Sequence, residues 1–162
     1  MRSSPERLAQ KRVQLWTRIL KIDERRIQKN FFEMMDLSAA NLSKQVADTI
    51  QVDINRSFNN LLHAVTHENL SNILHTYAIV NPTLDYCQGM NFIAGFLYIT
   101  TKSEALSFTI MAEVIKRNDM ATLFNTETPV LKLDFYTLDR LISIFLPDLH
   151  SHFKVSLFYK EE

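Results

Sequence analysis

Only two glycines, Gly89 and Gly95, occur in 162 residues, and neither follows an asparagine or an aspartate. Tight β-hairpins draw on Asn-Gly and Asp-Gly because their turns need positive φ, whereas helices have no such need. A chain this poor in hairpin turns is expected to be all-α. Hydrophobic residues make up 46% of it, enough to bury a core, so residues 1–162 read as a single domain.

Helical spacing runs through most of the chain. Ser4-Pro5 reads as a cap and first helical position, and Leu8, Leu15, Ile19 and Ile22 keep one face of the helix that follows. Leu70, Ile73, Leu74 and Tyr77 form a second stripe, closed by Asn81-Pro82. From Tyr86 to Ile99 the chain is apolar nearly all round, which predicts the buried central helix. Gly89 and Gly95 inside it would each cost about 1 kcal/mol relative to alanine, so each is expected to mark a close approach. Ser103 predicts a cap for a helix carrying Leu106, Ile110, Val114 and Ile115, ending at Asn118-Asp119. Thr128-Pro129 opens another, through Leu131, Phe135, Leu138, Ile142 and Phe145 to Pro147. Between Asp23 and Asp48 the pattern is more polar and less periodic, which predicts shorter helices joined by loops.

Several functions are disfavoured at this level. Lys+Arg and Asp+Glu stand at 18 each, whereas a nucleic-acid binder carries a basic stripe. The single cysteine, Cys87, cannot pair within the chain, which suits a reducing compartment. The longest apolar stretch, Phe92 to Ile99, falls far short of the roughly 20 residues that span a bilayer. No secretory h-region follows the N-terminus, so a soluble cytoplasmic protein is expected. No phosphate-binding glycine loop is present, so the chain is not expected to bind nucleotide alone. No nucleophile elbow occurs, and Cys87 has no histidine beside it. His63 and His67 would share a helical face, but the glutamate of a zinc-protease motif is missing; they read as ordinary surface or capping histidines, and no metal is expected.

Two short stretches stand apart. In Ile50-Gln51-Val52-Asp53-Ile54-Asn55-Arg56, Asp53 and Arg56 lie one helical turn apart, so carboxylate and guanidinium would sit side by side. Taken alone, this is a surface ion pair worth at most about 1 kcal/mol. The second stretch runs from Asn81-Pro82 through Asp85-Tyr86-Cys87-Gln88-Gly89-Met90-Asn91 into the most apolar segment. Gln88 and Asn91 at that entrance need hydrogen-bond partners or solvent, because an unpaired buried amide costs several kcal/mol. Taken alone, they are helix-start amides satisfied by nearby backbone.

Together the two stretches resemble the TBC domain of Rab GTPase-activating proteins, whose pattern is I-x-x-D-x-x-R followed some thirty residues later by Y-x-Q-G. Here it is Ile50-x-x-Asp53-x-x-Arg56 and Tyr86-Cys87-Gln88-Gly89. Arg12-x-x-x-Trp16 resembles the family's entry motif, and Gln88 to Ala94 resembles the run after its glutamine almost residue for residue. The resemblance implies that Arg56 is an arginine finger and Gln88 a glutamine finger, both supplied in trans to a Rab-type GTPase in its GTP form. It implies that Asp53 and Tyr86 hold the fingers and line the partner surface, and that Arg12, Trp16 and Asn91 support the site. Hydrolysis builds negative charge on the β–γ bridging oxygen and the γ-phosphoryl oxygens. An always-charged, fork-shaped guanidinium donates there, worth roughly 10³–10⁵ in rate. A glutamine can orient the attacking water without titrating. The implied protein is an activator rather than an enzyme in its own right. It needs no cofactor, the Mg-GTP being the partner's, and would meet membranes peripherally through that partner.

The pattern is not matched throughout. Asp85 stands where the family usually has glycine, and Ser57 where threonine is common. The family's domain continues past a point corresponding to Glu162, so the implied fold is a TBC-like N-terminal lobe plus the start of a second lobe, truncated at its C-terminus. Helices that would pack on the remainder are expected to expose Phe145, Leu149, Phe153, Leu157 and Phe158. That absence also keeps open a non-catalytic reading, a TBC-like scaffold or a subunit of a larger assembly.

Overall fold

The computed structural model describes residues 5–58, 64–124 and 130–158, and within them every side chain but those of residues 5, 6, 38–40 and 156–158. The described residues form helices and connecting turns, with no strand, as the scarcity of hairpin turns predicts. The chain divides into two compact units, Met1–Ala121 and Thr122–Glu162.

The first unit holds α1 (Pro5–Leu20), α2 (Glu24–Asn41), α3 (Lys44–Asn55), α4 (His67–Val80), α5 (Met90–Thr101) and α6 (Glu104–Arg117). Its core is built on α4 and α6, which pack on each other and on α2, with α3 against α4 and α5 against α6. Leu70, Ile73, Leu74 and Tyr77 are buried, as their spacing predicts, and Met111, Ile110 and Ile115 meet them from α6. Ser103 caps α6 and Asn118 ends it, also as expected. Thr66 and Asn69 form a reciprocal capping box at the start of α4. Glu104 accepts from Asn69 Nδ2 at 2.8 Å and from Asn72 Nδ2 at 3.2 Å, which ties the starts of α4 and α6 together.

Three expectations are corrected. Leu8, Leu15 and Ile19 do share one side of α1, its exposed side, but Ile22 lies beyond the end of the helix. The inner side is Ala9, Val13, Trp16 and Leu20, all half-buried. Both stripes satisfy a helical period, so spacing could not choose between them. Residues 24–41 form one continuous helix rather than several, opened by Asp23 Oδ1 accepting from the Arg25 amide at 3.1 Å. Its pattern is weak because, among its described side chains, Phe31 alone is fully buried, with its ring 5.5 Å from that of Phe108. The apolar helix begins at Met90, not Tyr86, and it is not the buried centre: Phe92 and Phe96 are exposed on one side of it.

The two glycines consequently differ in role. Gly89 lies just outside α5 with φ 105, a left-handed conformation that glycine adopts without strain, and nothing lies within 4 Å of where a Cβ would stand, so the close approach expected there is absent. Gly95 is helical and marks a close approach, as expected: a Cβ there would collide with the ring of Phe58. Phe58 itself has φ 54 and packs its ring at a tilt against that of Phe92, with centroids 5.8 Å apart.

In the second unit, α8 (Val130–Phe145) and α9 (Pro147–Phe158) pack on each other, and His150 Nε2 lies 2.9 Å from Asp139 Oδ1. No residue of α8 is buried. Phe145, Leu149 and Phe153 are exposed as expected, together with Leu133, Phe135, Tyr136 and Ile144. The side chains of Leu157 and Phe158 and the Thr128-Pro129 start lie outside the described residues. The short α7 (Met120–Phe124) runs across the boundary between the units.

Gly95→Ala tests the Phe58 contact. Helix propensity alone would stabilise the protein by about 1 kcal/mol. Overpacking costs about 1–3 kcal/mol and is expected to win, lowering the urea midpoint. A raised midpoint would mean that Phe58 does not sit over Gly95.

Candidate functional site

The site starts from a carboxylate in an unfavourable place. Asp53 lies in the last turn of α3, where the helix dipole disfavours a negative charge, and its side chain is only 4% exposed. Two partners offset that cost. Arg56, which caps the helix, pairs its Nη2 with Asp53 Oδ1. Tyr86 donates its hydroxyl to Asp53 Oδ2 at 2.7 Å from across the fold. Burial first, and then the Asp53 hydrogen bond, push the Tyr86 pKa far up, so the hydroxyl keeps its proton and remains a donor.

A second strand of the network runs through Ser57. Its hydroxyl donates to the main-chain oxygen of Asp53, one of the carbonyls that a helix end leaves without a partner. Asn91 Nδ2 donates to Ser57 Oγ, and Asn91 Oδ1 accepts from the Gly89 amide at 3.1 Å. The C-terminus of α3 and the start of α5 are thereby joined at Asp53–Tyr86 and at Ser57–Asn91. The turn between α4 and α5 is shaped locally as well. Asn81 oxygen accepts from the amides of Leu84 at 3.1 Å and Asp85 at 2.9 Å, and Asp85 takes φ 51.

What the network leaves in solvent is informative. The Arg56 side chain is 55% exposed although one nitrogen is paired, and a guanidinium carries five N–H donors. Gln88 is exposed at the end of the turn, two residues from the Tyr86 anchor. Asn91, the other amide at this entrance, is buried with both its oxygen and its nitrogen hydrogen-bonded, so Asp53 and Asn91 act from inside the fold rather than at its surface. Trp16 is half-buried with its ring 6.3 Å from that of Phe96, a packing position on α5. Arg12 is exposed on α1, and no contact ties it to this network. Burial, and then Asp53, push the Cys87 thiol up, the opposite of an activated nucleophile. Among the described residues no three His, Cys, Asp or Glu side chains gather as metal ligands; His67 Nε2 is buried without a hydrogen-bond partner, and His63 lies outside the described residues.

Sequence reasoning treated Ser57 only as a mild replacement for threonine and passed over Phe58. The signal for Ser57 was a hydroxyl four residues after Asp53, the spacing at which serine bonds back to a helix carbonyl. Phe58 carried no such signal, because its left-handed backbone follows from packing over Gly95.

A family model of the Rab-GTPase-TBC domain matches residues 9–159. The chain belongs to this family. GTPase-activating protein GYP5 of Eremothecium gossypii is 32% identical over 103 residues, covering 64% of this chain and 12% of that protein. Growth hormone-regulated TBC protein 1 of Rattus norvegicus is 35% identical over 101 residues, covering 59% of this chain and 35% of that one. A crystal structure of a Chlamydomonas flagellar RabGAP TBC domain superposes with a TM-score of 0.68 at 19% identity, covering 95% of this chain and 55% of that structure. This TBC chain thus spans about half of that solved domain and little more than a third, at most, of the two curated relatives. Among its described residues no helix is long and apolar enough to cross a membrane.

Tyr86→Phe removes one hydrogen bond to a buried carboxylate and nothing else. Such bonds contribute about 1.5–3 kcal/mol, so a loss of that order is expected in chemical denaturation. An unchanged stability would show that Asp53 is held by Arg56 alone.

Proposed function

We propose that this TBC chain accelerates GTP hydrolysis on a Rab-type small GTPase in the cytoplasm, with Arg56 and Gln88 entering the partner's phosphate site. One observation carries the reading: the two segments bearing these side chains are tied together by one buried and one half-buried hydrogen bond while both side chains stay exposed. Two parts held in fixed relation before the partner arrives do not have to be ordered in the transition state. Arg56 would place positive charge against the oxygens that gain negative charge, in a pocket from which water is excluded. Gln88 would orient the attacking water with its carbonyl and donate with its amide. The Mg-GTP would be the partner's own.

Single-turnover hydrolysis by a panel of GTP-loaded Rab proteins is the direct test. Acceleration of at least one member is expected. Arg56→Ala should remove about 10³-fold or more of it, and Arg56→Lys nearly as much, since lysine keeps the charge but not the planar fork. Gln88→Ala should fall close to the intrinsic rate. Acceleration by none of the panel at high concentration would sink the reading.

A specific observation favours a second reading, a non-catalytic TBC-like scaffold: Arg56 is already paired with Asp53. A protein complex that survives Arg56→Ala and Gln88→Ala together would support it.

Asp85 gives the active-site reading its own check. It is exposed three residues before Gln88 and adopts the backbone conformation for which glycine is favoured. Asparagine tolerates that conformation as well as aspartate does. Asp85→Asn is therefore expected to raise activation several-fold at low salt, by removing a negative charge near a polyphosphate, with the gain shrinking as salt is added.

A further inference from the structure

The neutral total conceals a charge split. Residues 1–30 hold nine Lys and Arg against three Asp and Glu, and the rest of the chain holds nine against fifteen. Most of the basic excess lies on or beside α1, the helix whose outer side is apolar. At 100° per residue, Leu8, Leu15 and Ile19 fall within an arc of about 40°. Lys11 and Arg18 lie about 70° to one side of that arc and Arg12 about 40° to the other. All six side chains are exposed, as is Lys21 at the end of the helix. Just beyond, Arg25, Arg26 and Lys29 are exposed on α2; Asp23 there is engaged as the cap of α2, and Lys29 lies 3.9 Å from Glu33.

We propose that the outer side of α1 docks the protein directly on an anionic lipid surface. The chemistry fits on both counts. An apolar stripe flanked on both sides by long cations is the arrangement that lies in a bilayer interface, with the apolar groups below the phosphates and the charges among them. A cluster of four to eight Lys and Arg on such a helix is attracted to anionic headgroups over a Debye length. An acidic protein partner is the lesser fit, because the outer side of a single helix is convex and offers no groove for a chain segment. The surface is independent of Arg56 and Gln88 and does not require the GTPase reading to hold.

Vesicle flotation of the full chain tests it. Binding is expected to vesicles of phosphatidylcholine with about 30% phosphatidylserine, and not to phosphatidylcholine alone. Lys11→Glu with Arg18→Glu should weaken that binding at least about 30-fold, and so should raising salt from about 0.1 to 0.5 M. Leu15→Ser with Ile19→Ser should weaken it as well, with helicity by circular dichroism unchanged because both positions are exposed. Leu133→Ser with Phe135→Ser, at exposed apolar positions of α8, should leave the anionic preference intact. Equal binding to neutral vesicles, indifference to charge reversal, or loss of the preference in the α8 variant would overturn the proposal. So would capture by polyglutamate with no flotation on either vesicle, which would assign the surface to an acidic polypeptide.

Discussion

A buried carboxylate at the C-terminal end of a helix is a poor choice for stability unless something else needs it there. Asp53 meets two penalties, desolvation and an adverse helix dipole, and each is offset by a residue at the site's rim. Arg56 comes from the same helix end, so its pairing is local and forms with α3. Tyr86 comes from 33 positions away, so its bond forms only when the turn before α5 is in place. Removing Asp53 would leave a guanidinium unanchored and a half-buried hydroxyl without an acceptor. The relative position of the α3 end and the turn before α5 rests on that charge together with the Ser57–Asn91 bond.

Two of the five non-glycine residues with positive φ lie beside this network, the others being Lys21, Lys102 and Asp119. Phe58, Asp85 and Gly89 all have positive φ, and they flank the two segments that the network joins. A left-handed backbone costs an ordinary residue about 1–2 kcal/mol, so Phe58 and Asp85 hold it only because their surroundings leave no alternative. For Phe58 the surroundings are Phe92 and the bare Cα of Gly95. For Asp85 they are the Asn81 carbonyl and the Tyr86 anchor. The turn is fixed at both ends, and Gln88 lies between two fixed points, Tyr86 and Gly89. A glutamine so placed loses less freedom on meeting a partner than one on an unbraced loop would.

Much of this was legible in the sequence, for unequal reasons. Caps and stops at Ser103, Asn81 and Asn118 were readable because they act through neighbouring backbone. The pairing of Asp53 with Arg56 was readable because it needs one helical turn. The start of the apolar helix was misread because hydrophobicity continues through Tyr86 and Cys87, while the backbone there is set by a left-handed Gly89. The stripe on α1 was legible as a stripe, but periodicity reports that a side is apolar, not whether something covers it. Family resemblance drew attention to Tyr86 and Asn91, but their hydrogen bonds to Asp53 and Ser57 join segments more than thirty residues apart, and no spacing within either segment encodes them.

Net charge misleads in a related way. A sum of zero says that the far field of the whole chain is weak, and nothing about the field one Debye length from α1. The basic residues there alternate with an apolar stripe on one helix, whereas the acidic excess is dispersed over the other helices and turns. A mainly positive field on α1 and the start of α2 acts only on a surface that comes within about 10 Å of it, so it would orient the molecule rather than draw it from a distance. The chemistry proposed at Arg56 and Gln88 needs orientation of that kind if its substrate is itself held at a membrane, because a partner restricted to a plane can be met from one side only. An oriented, weakly held activator would sample many partner molecules in that plane before leaving it, which favours turnover over tight binding.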